Sequence, residues 1–132
     1  MKFDELKELY PFESHYLDID GLKYHYVDEG EGEVMLMVHG NPTWSFFYRD
    51  LIKNYSKNYR VIAVDHIGCG LSDKPQDYAY RLENHIANVL TLIEHLKLKN
   101  ITLFVHDWGG AIGFGCATRR NELFKRFVVF NT

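Results

Sequence analysis

Cysteine, proline and long apolar runs are scarce in this sequence of 132 residues. The two cysteines, Cys69 and Cys116, have no CxxC spacing, so we expect neither a disulfide framework nor a zinc site, and we assign both to packing. Apolar runs such as 34–38 are far too short to cross a bilayer, and we expect no membrane association. The start, MKFDELKELYPF, lacks the apolar segment and cleavage site of a secretory signal, which predicts a cytoplasmic location.

Charge of one sign is not concentrated anywhere either. The chain carries 15 Lys and Arg against 18 Asp and Glu, for a net charge of −3, and it has no basic run. That pattern argues against a nucleic-acid partner, and we expect no metal and no cofactor. Apolar material is abundant: 46% of the residues are hydrophobic, including 15% aromatics. This is enough for the core of one domain spanning 1–132.

Strand and helix patterns alternate along the chain. Asp20 and Gly21 separate two stretches of alternating polarity, which predicts a β-hairpin. Beyond it the pattern predicts, in chain order, a strand at 34–38, a helix from Trp44 to Asn54, a strand at 59–64, a helix from Leu82, a strand at 100–105, a helix from Gly109 to Arg119 and a strand at 127–130. Strands that recur between helices form a mostly parallel sheet with helices on both faces, so the predicted fold class is α/β.

The stretch VHDWGG, residues 105–110, leads directly from a predicted buried strand into a helix. Its polar residue, Asp107, stands where a sharp strand-to-helix turn presents a nucleophile in sheet enzymes of this type. The free N–H groups and positive dipole end of the helix favour an ionised carboxylate. The alternative is that Asp107 merely caps the helix, since aspartate is a preferred N-cap.

A second loop favours the nucleophile interpretation. HGNPTW, residues 39–44, follows the first predicted parallel strand, where such folds supply an oxyanion-hole N–H. Pro42 has no N–H, so the donor from this loop is predicted to be Asn41. The backbone N–H of Trp108, the residue after the nucleophile, is predicted to be the other donor. Both loops lie at the carboxyl edge of the predicted sheet, where open α/β sheets bind ligands.

Three blocks, HGNPTWSFFYRDLI, VIAVDHIGCGLSDKP and VHDWGGAIGF, resemble the corresponding segments of haloalkane dehalogenases in the α/β-hydrolase superfamily. The resemblance implies that Asp107 attacks the halogen-bearing carbon of a small apolar substrate, giving an alkyl ester and a halide. It also implies that the indole N–H of Trp108 and the side-chain amide of Asn41 hold the departing halide. In the family, a water activated by a histidine then hydrolyses the ester.

None of the histidines in the sequence is assigned as the base. His106 precedes Asp107 on a strand, so its side chain is expected to point away. His39 is expected to support its loop by hydrogen bonding, and His66 is expected to organise Asp65 and the following glycine turn. The other four, residues 15, 25, 85 and 95, are expected to be solvated or structural.

The superfamily order of nucleophile, acid and histidine is not completed in this sequence. No histidine follows Asp107, Glu122 lies in a polar run typical of a solvated helix end, and Asn131 cannot serve as a carboxylate. We therefore expect a partial α/β-hydrolase core, a fragment or half of a split enzyme, truncated before the cap and last strands. It would need a complementing C-terminal segment for turnover and would expose the apolar edge 127–130.

Two enzyme alternatives and one of another class stay open at this point. An epoxide hydrolase uses the same fold, although Asn41 argues against it because those enzymes usually carry another residue there. A β-lactone decarboxylase closely resembles one dehalogenase branch, and these residues do not exclude it. The third alternative is a non-catalytic half-domain that binds a ligand or a partner chain.

Overall fold

The computed structural model describes residues 3–132. The helices are α1 (Phe3–Leu9), α2 (Arg49–Tyr55), α3 (Leu82–Leu96) and α4 (Trp108–Arg119), with 3₁₀ turns at Ser45–Tyr48 and Asn121–Leu123. The strands are β1 (His15–Ile19), β2 (Leu22–Glu29), β3 (Val34–Val38), β4 (Arg60–Val64), β5 (Ile101–His106) and β6 (Phe124–Phe130). No helix in this part of the chain is both long enough and apolar enough to cross a membrane.

All six strands form one sheet in the order β1-β2-β4-β3-β5-β6. The pairs β1–β2 and β2–β4 are antiparallel, whereas β3 pairs in parallel with β4 and β5, and β5 with β6. Asp20 and Gly21 form the turn of the predicted hairpin, with φ of 52° and 85°, as a two-residue hairpin turn requires. The predicted α/β class is confirmed.

Helices cover both faces of the sheet. Side chains alternate between the faces along each strand, so a strand that is apolar throughout must be covered on both sides. One core lies under α3 and α4 and includes Leu36, Ile62, Leu103, Val89 and Ile112. The other lies under α2 and the N-terminal segment and includes Met37, Ala63, Phe104, Ile52 and Tyr10. Each fully buried Leu or Ile contributes about 1.5–3 kcal/mol through loss of water contact, so these two cores hold the central strands and their loops in place.

The predicted helix from Trp44 to Asn54 is wrong in its first turn. Residues Ser45–Tyr48 form a 3₁₀ turn in which the N–H of Arg49 bonds to the carbonyl of Phe46, and the α-helix starts only at Arg49. Apolar spacing over one turn does not separate a 3₁₀ turn from an α-helix, which is the reason for the error. The helix α1 was not predicted, and β6 begins three residues before the predicted strand.

Strand β6 is the outer strand of the sheet and pairs only with β5 among the described strands. Phe127, Val129 and Phe130 on it are 46%, 52% and 37% exposed. The apolar edge that the sequence predicted is therefore present. Exposed apolar edges are sites for pairing with another strand.

Candidate active site

Asp107 occupies the sharp turn between β5 and α4. Its backbone has φ 55° and ψ −129°, and its side chain makes no capping hydrogen bond to the helix that follows. A non-glycine residue held in such a conformation costs on the order of 1–3 kcal/mol and occurs where the surrounding structure imposes it. The simple N-cap alternative does not fit this geometry, because an N-cap side chain bonds to the second or third N–H of its helix and Asp107 makes no such bond.

Two glycines bring the loops at the ends of β3 and β5 into contact. A Cβ atom on Gly109 would collide with the carbonyl of Val38, and one on Gly40 would collide with the carboxylate of Asp107. Only hydrogen fits at either position, so the loops approach as closely as backbone permits. The predicted convergence of the two loops is thus observed.

The Asp107 carboxylate is held by backbone N–H groups from both loops. The N–H of Asn41 donates to its Oδ2 at 2.8 Å, across 66 residues of sequence. This bond, followed by one from the Trp108 N–H, lowers the pKa of Asp107 below its ordinary value. Hydrogen bonds to the charged form favour ionisation, so the carboxylate is anionic at neutral pH. The backbone N–H groups of Asn41 and Trp108 therefore both point to the Asp107 carboxylate.

Beside this turn lies an open cleft of about 440 Å³. Its lining includes Asn41, Trp108, His66, His85 and Lys74. Trp108 is 56% exposed, so its large side chain stands at the surface of the cleft instead of packing in the core. Asn41 and Trp108 are thus both exposed residues beside the cleft.

His39 and His66 form a reciprocal pair that supports the Asn41 loop. The backbone N–H of His66 donates to His39 Nε2 at 3.1 Å, and His66 Nε2 donates to the His39 carbonyl at 3.0 Å. His39 Nδ1 in turn donates to the carbonyl of Gly40 at 2.7 Å. The supporting role expected for His39 is observed. The role expected for His66 toward Asp65 is wrong, because its ring bonds to His39, whereas its carbonyl does accept from the Cys69 N–H in the glycine turn at 2.8 Å.

Other residues hold the Asp65 carboxylate by hydrogen bonds. The sequence did not predict these bonds. Its carboxylate accepts from His25 Nδ1 at 2.8 Å, from the Ser45 N–H at 2.6 Å and from the Leu71 N–H at 3.0 Å. Burial raises the pKa of Asp65, but the bonds from His25, Leu71 and Ser45 outweigh it and the net pKa is lowered. His25 Nε2 bonds to Ser14 Oγ at 2.9 Å. The buried carboxylate thus ties the hairpin to two loops of the site.

The remaining candidates lie where the sequence placed them. The ring of His106 stacks on Phe47, with ring centroids 4.2 Å apart, so it is engaged away from the cleft. Glu122 pairs with Arg120 at the surface, at 2.7 Å. Asn131 follows β6, and its carbonyl accepts from the Asp107 N–H at 3.3 Å.

Comparison with known proteins places this geometry in a family. Residues 33–132 match the family described as alpha/beta hydrolase fold. A cis-3-alkyl-4-alkyloxetan-2-one decarboxylase of Shewanella oneidensis is 52% identical over 130 residues, which is 96% of this chain and 41% of that protein. Haloalkane dehalogenase 2 of Mycobacterium tuberculosis is 40% identical over 125 residues, which is 95% of this chain and 44% of that protein.

A solved structure agrees with the sequence relatives. The haloalkane dehalogenase DpaA of Paraglaciecola agarilytica superposes with a TM-score of 0.85 at 39% identity, covering 90% of this chain and 43% of that one. The chain spans less than half the length of each of these proteins. It belongs to the alpha/beta hydrolase fold family, in which it is similar to the N-terminal portion of haloalkane dehalogenases and of an oxetanone decarboxylase.

Proposed function

We propose that Asp107 is a nucleophile that displaces an anionic leaving group from a saturated carbon atom. The observation that carries the proposal is the 2.8 Å bond from the Asn41 N–H to Asp107 Oδ2. It keeps the carboxylate ionised and fixes its orientation at the edge of the cleft, two conditions for an in-line attack.

For a haloalkane, the Asp107 carboxylate oxygen forms a bond to carbon, and the carbon–halogen bond breaks with its electron pair going to the halide. The Trp108 indole N–H and the Asn41 amide N–H groups would stabilise that anion, since both are donors at the cleft. The product is an alkyl ester of Asp107. Its hydrolysis needs a water and a base, and His39 is already engaged by hydrogen bonds. We therefore expect the ester to persist on this chain unless a complementing segment supplies the base.

A second candidate substrate is a cis-3-alkyl-4-alkyloxetan-2-one, a four-membered cyclic ester. It is favoured by the higher identity to the decarboxylase, 52% against 40% for the dehalogenase. Attack by Asp107 on the saturated ring carbon, C4, would form a C4–O bond to Asp107 and break the bond from C4 to the ring oxygen. The ring carboxyl group is thereby released as a carboxylate, the anion that Asn41 and Trp108 would stabilise. Loss of CO₂ would then form a carbon–carbon double bond and expel Asp107 as a free carboxylate. This route needs no water and no histidine base.

An epoxide is the less favoured substrate. Its opening leaves an alkoxide that must be protonated, whereas Asn41 and Trp108 offer neutral N–H groups suited to a stable anion. These donors therefore favour a halide or a carboxylate as the leaving group.

The test is intact-mass spectrometry and peptide mapping after incubation of the chain with bromobutane or with a cis-dialkyl oxetanone. The dehalogenase route predicts a stable butyl adduct on Asp107, and the decarboxylase route predicts alkene release with no lasting adduct. Asp107→Asn is the matched control, since it keeps the side-chain shape and an acceptor oxygen. A folded wild-type chain that gives neither adduct nor alkene would support a non-catalytic binding domain and refute the proposal.

A further inference from the structure

A chain of three hydrogen-bonded side chains lies outside the cleft beside Asp107. Ser14 Oγ lies 2.9 Å from His25 Nε2, and His25 Nδ1 lies 2.8 Å from Asp65 Oδ2. The three residues come from separate segments: the residue before β1, strand β2 and the loop after β4. They are not among the residues that line the cleft. The fold therefore brings a serine, a histidine and an aspartate together at a second place.

The direction of both hydrogen bonds follows from the Asp65 carboxylate. Burial raises the pKa of Asp65, but the hydrogen bonds that it accepts outweigh burial, so the carboxylate is ionised at neutral pH. An ionised carboxylate only accepts, so His25 Nδ1 carries the hydrogen and donates it. In the neutral ring Nε2 is then a lone pair, and the Ser14 hydroxyl donates to it. The Ser14 proton thus lies on the path to a base.

This arrangement is the one by which proteins make a serine hydroxyl nucleophilic. A neighbouring histidine takes the proton, and a third group orients the histidine and stabilises its charged form. Both distances lie within the range of about 2.6–3.2 Å over which such groups act on one another. His25 and Asp65 are fully buried, so water does not compete for either side chain, whereas Ser14 is exposed. The nucleophile therefore lies at the surface with its base behind it.

We propose that Ser14, His25 and Asp65 form a second nucleophilic site, at which Ser14 takes the acyl group of an activated aryl ester. Ser14 Oγ forms a bond to the carbonyl carbon, and the bond from that carbon to the aryl oxygen breaks with its electron pair going to the aryl oxide. The Ser14 proton passes to His25 Nε2 and then to the aryl oxide, which gives acyl-Ser14 and a free phenol. An aryl oxide leaves readily as an anion, so the step needs no acid beyond the histidine. The site does not depend on the chemistry proposed for Asp107.

The experiment is acetylation by 4-nitrophenyl acetate, stopped with acid and mapped by peptide mass spectrometry. Ser14 should be acetylated about 100-fold faster in the folded chain than in the chain unfolded by concentrated urea, since a positioned general base contributes roughly 10²–10⁴. Unfolding exposes Ser14 fully but removes its base, so the comparison separates activation from exposure. Ser56 is the internal control, because its Oγ lies 3.4 Å from the Lys53 carbonyl and has no histidine partner there. Its acetylation should not be faster in the folded chain.

A variant of the base and a matched control complete the test. His25→Gln keeps an N–H for the Asp65 carboxylate but has no base, so acetylation of Ser14 should slow about 100-fold. His95→Gln removes an exposed histidine on α3 and should leave the Ser14 rate unchanged. Because the label is mapped to Ser14, an ester formed at Asp107 is not mistaken for it.

Two results would overturn the proposal. Equal Ser14 rates in the folded and the urea-unfolded wild type would show that the hydroxyl only pairs with a buried ring. A folded His25→Gln chain that is acetylated at Ser14 at the wild-type rate would show that His25 is not the base. The wild-type comparison decides the question by itself if His25→Gln does not fold.

Discussion

Replacing Asp65 by Asn should destabilise the protein far more than its single-atom change suggests. The carboxylate is fully buried and accepts hydrogen bonds from His25, Ser45 and Leu71. An amide has one oxygen and one NH₂ group, and that NH₂ would face a donor wherever it pointed. Asn also removes the negative charge that pairs with the His25 ring at 2.8 Å.

The expected loss in unfolding free energy is about 3–5 kcal/mol, the usual result of removing one partner from a buried pair. Domains of this size have a total stability of roughly 5–15 kcal/mol, so the loss is a large part of the whole. With a urea m-value of about 2 kcal/mol/M, the midpoint should fall by about 2 M. Because Asp65 has a lowered pKa in the folded state, its contribution is present above its unfolded pKa of about 3.9 and is lost on acidification.

Urea unfolding followed by the fluorescence of Trp44 and Trp108 measures this quantity. Asp73→Asn is the control, since its carboxylate accepts from the exposed Lys23 N–H at 2.8 Å, and it should cost less than about 1 kcal/mol. The Asp65→Asn protein should also lose less stability than the wild type between about pH 5 and pH 3. Equal losses in the two variants would refute the view that Asp65 is the buried anchor of the loops.

Three further predictions concern the site and the edge of the sheet. Asn41→Ala keeps the backbone N–H that bonds to Asp107 but removes the side-chain amide. Alkylation by bromobutane, measured as the rate of adduct formation, should therefore slow by about 10²–10³. An unchanged rate would exclude the side-chain amide as a donor to the leaving group. The lowered pKa of Asp107 predicts that the same rate stays constant from pH 8 down to about pH 5, because the carboxylate remains ionised; a decline beginning near neutral pH would contradict this. Val129→Lys places a charge on the exposed outer strand β6. Size-exclusion chromatography should therefore show less self-association, with little change in melting temperature. Lys125→Arg is the control, since it leaves the charge of β6 unchanged.

Much of the fold could be predicted because its signals are local. The alternation in β1 and β2 with Asp20–Gly21 between them, the apolar run of β3 and the helical spacing of α3 each lie within one element. The 3₁₀ turn at Ser45–Tyr48 was missed, since one turn of chain carries too little periodicity to distinguish the two helix types.

The candidate site also has features that the sequence predicted and features that it did not. The turn of Asp107 and the loop of 39–44 were visible in the sequence, because each has a short local motif. The His39–His66 pair joins residues 27 apart and the His25–Asp65 pair joins residues 40 apart. Neither pair has a local pattern, so the contacts depend on how the strands are ordered in the sheet.

The sequence by itself determined the fold class and the strand-to-helix turn that carries Asp107, because turn geometry and strand or helix periodicity are properties of neighbouring residues. Only the tertiary structure decided that the Asn41 N–H lies 2.8 Å from Asp107 Oδ2, that Asp65 is bonded by His25 and not by His66, and that the His66 ring bonds to His39. Those features arise where loops from different strands meet at one edge of the sheet. Their distances are set by packing across the sheet, which no short stretch of sequence contains.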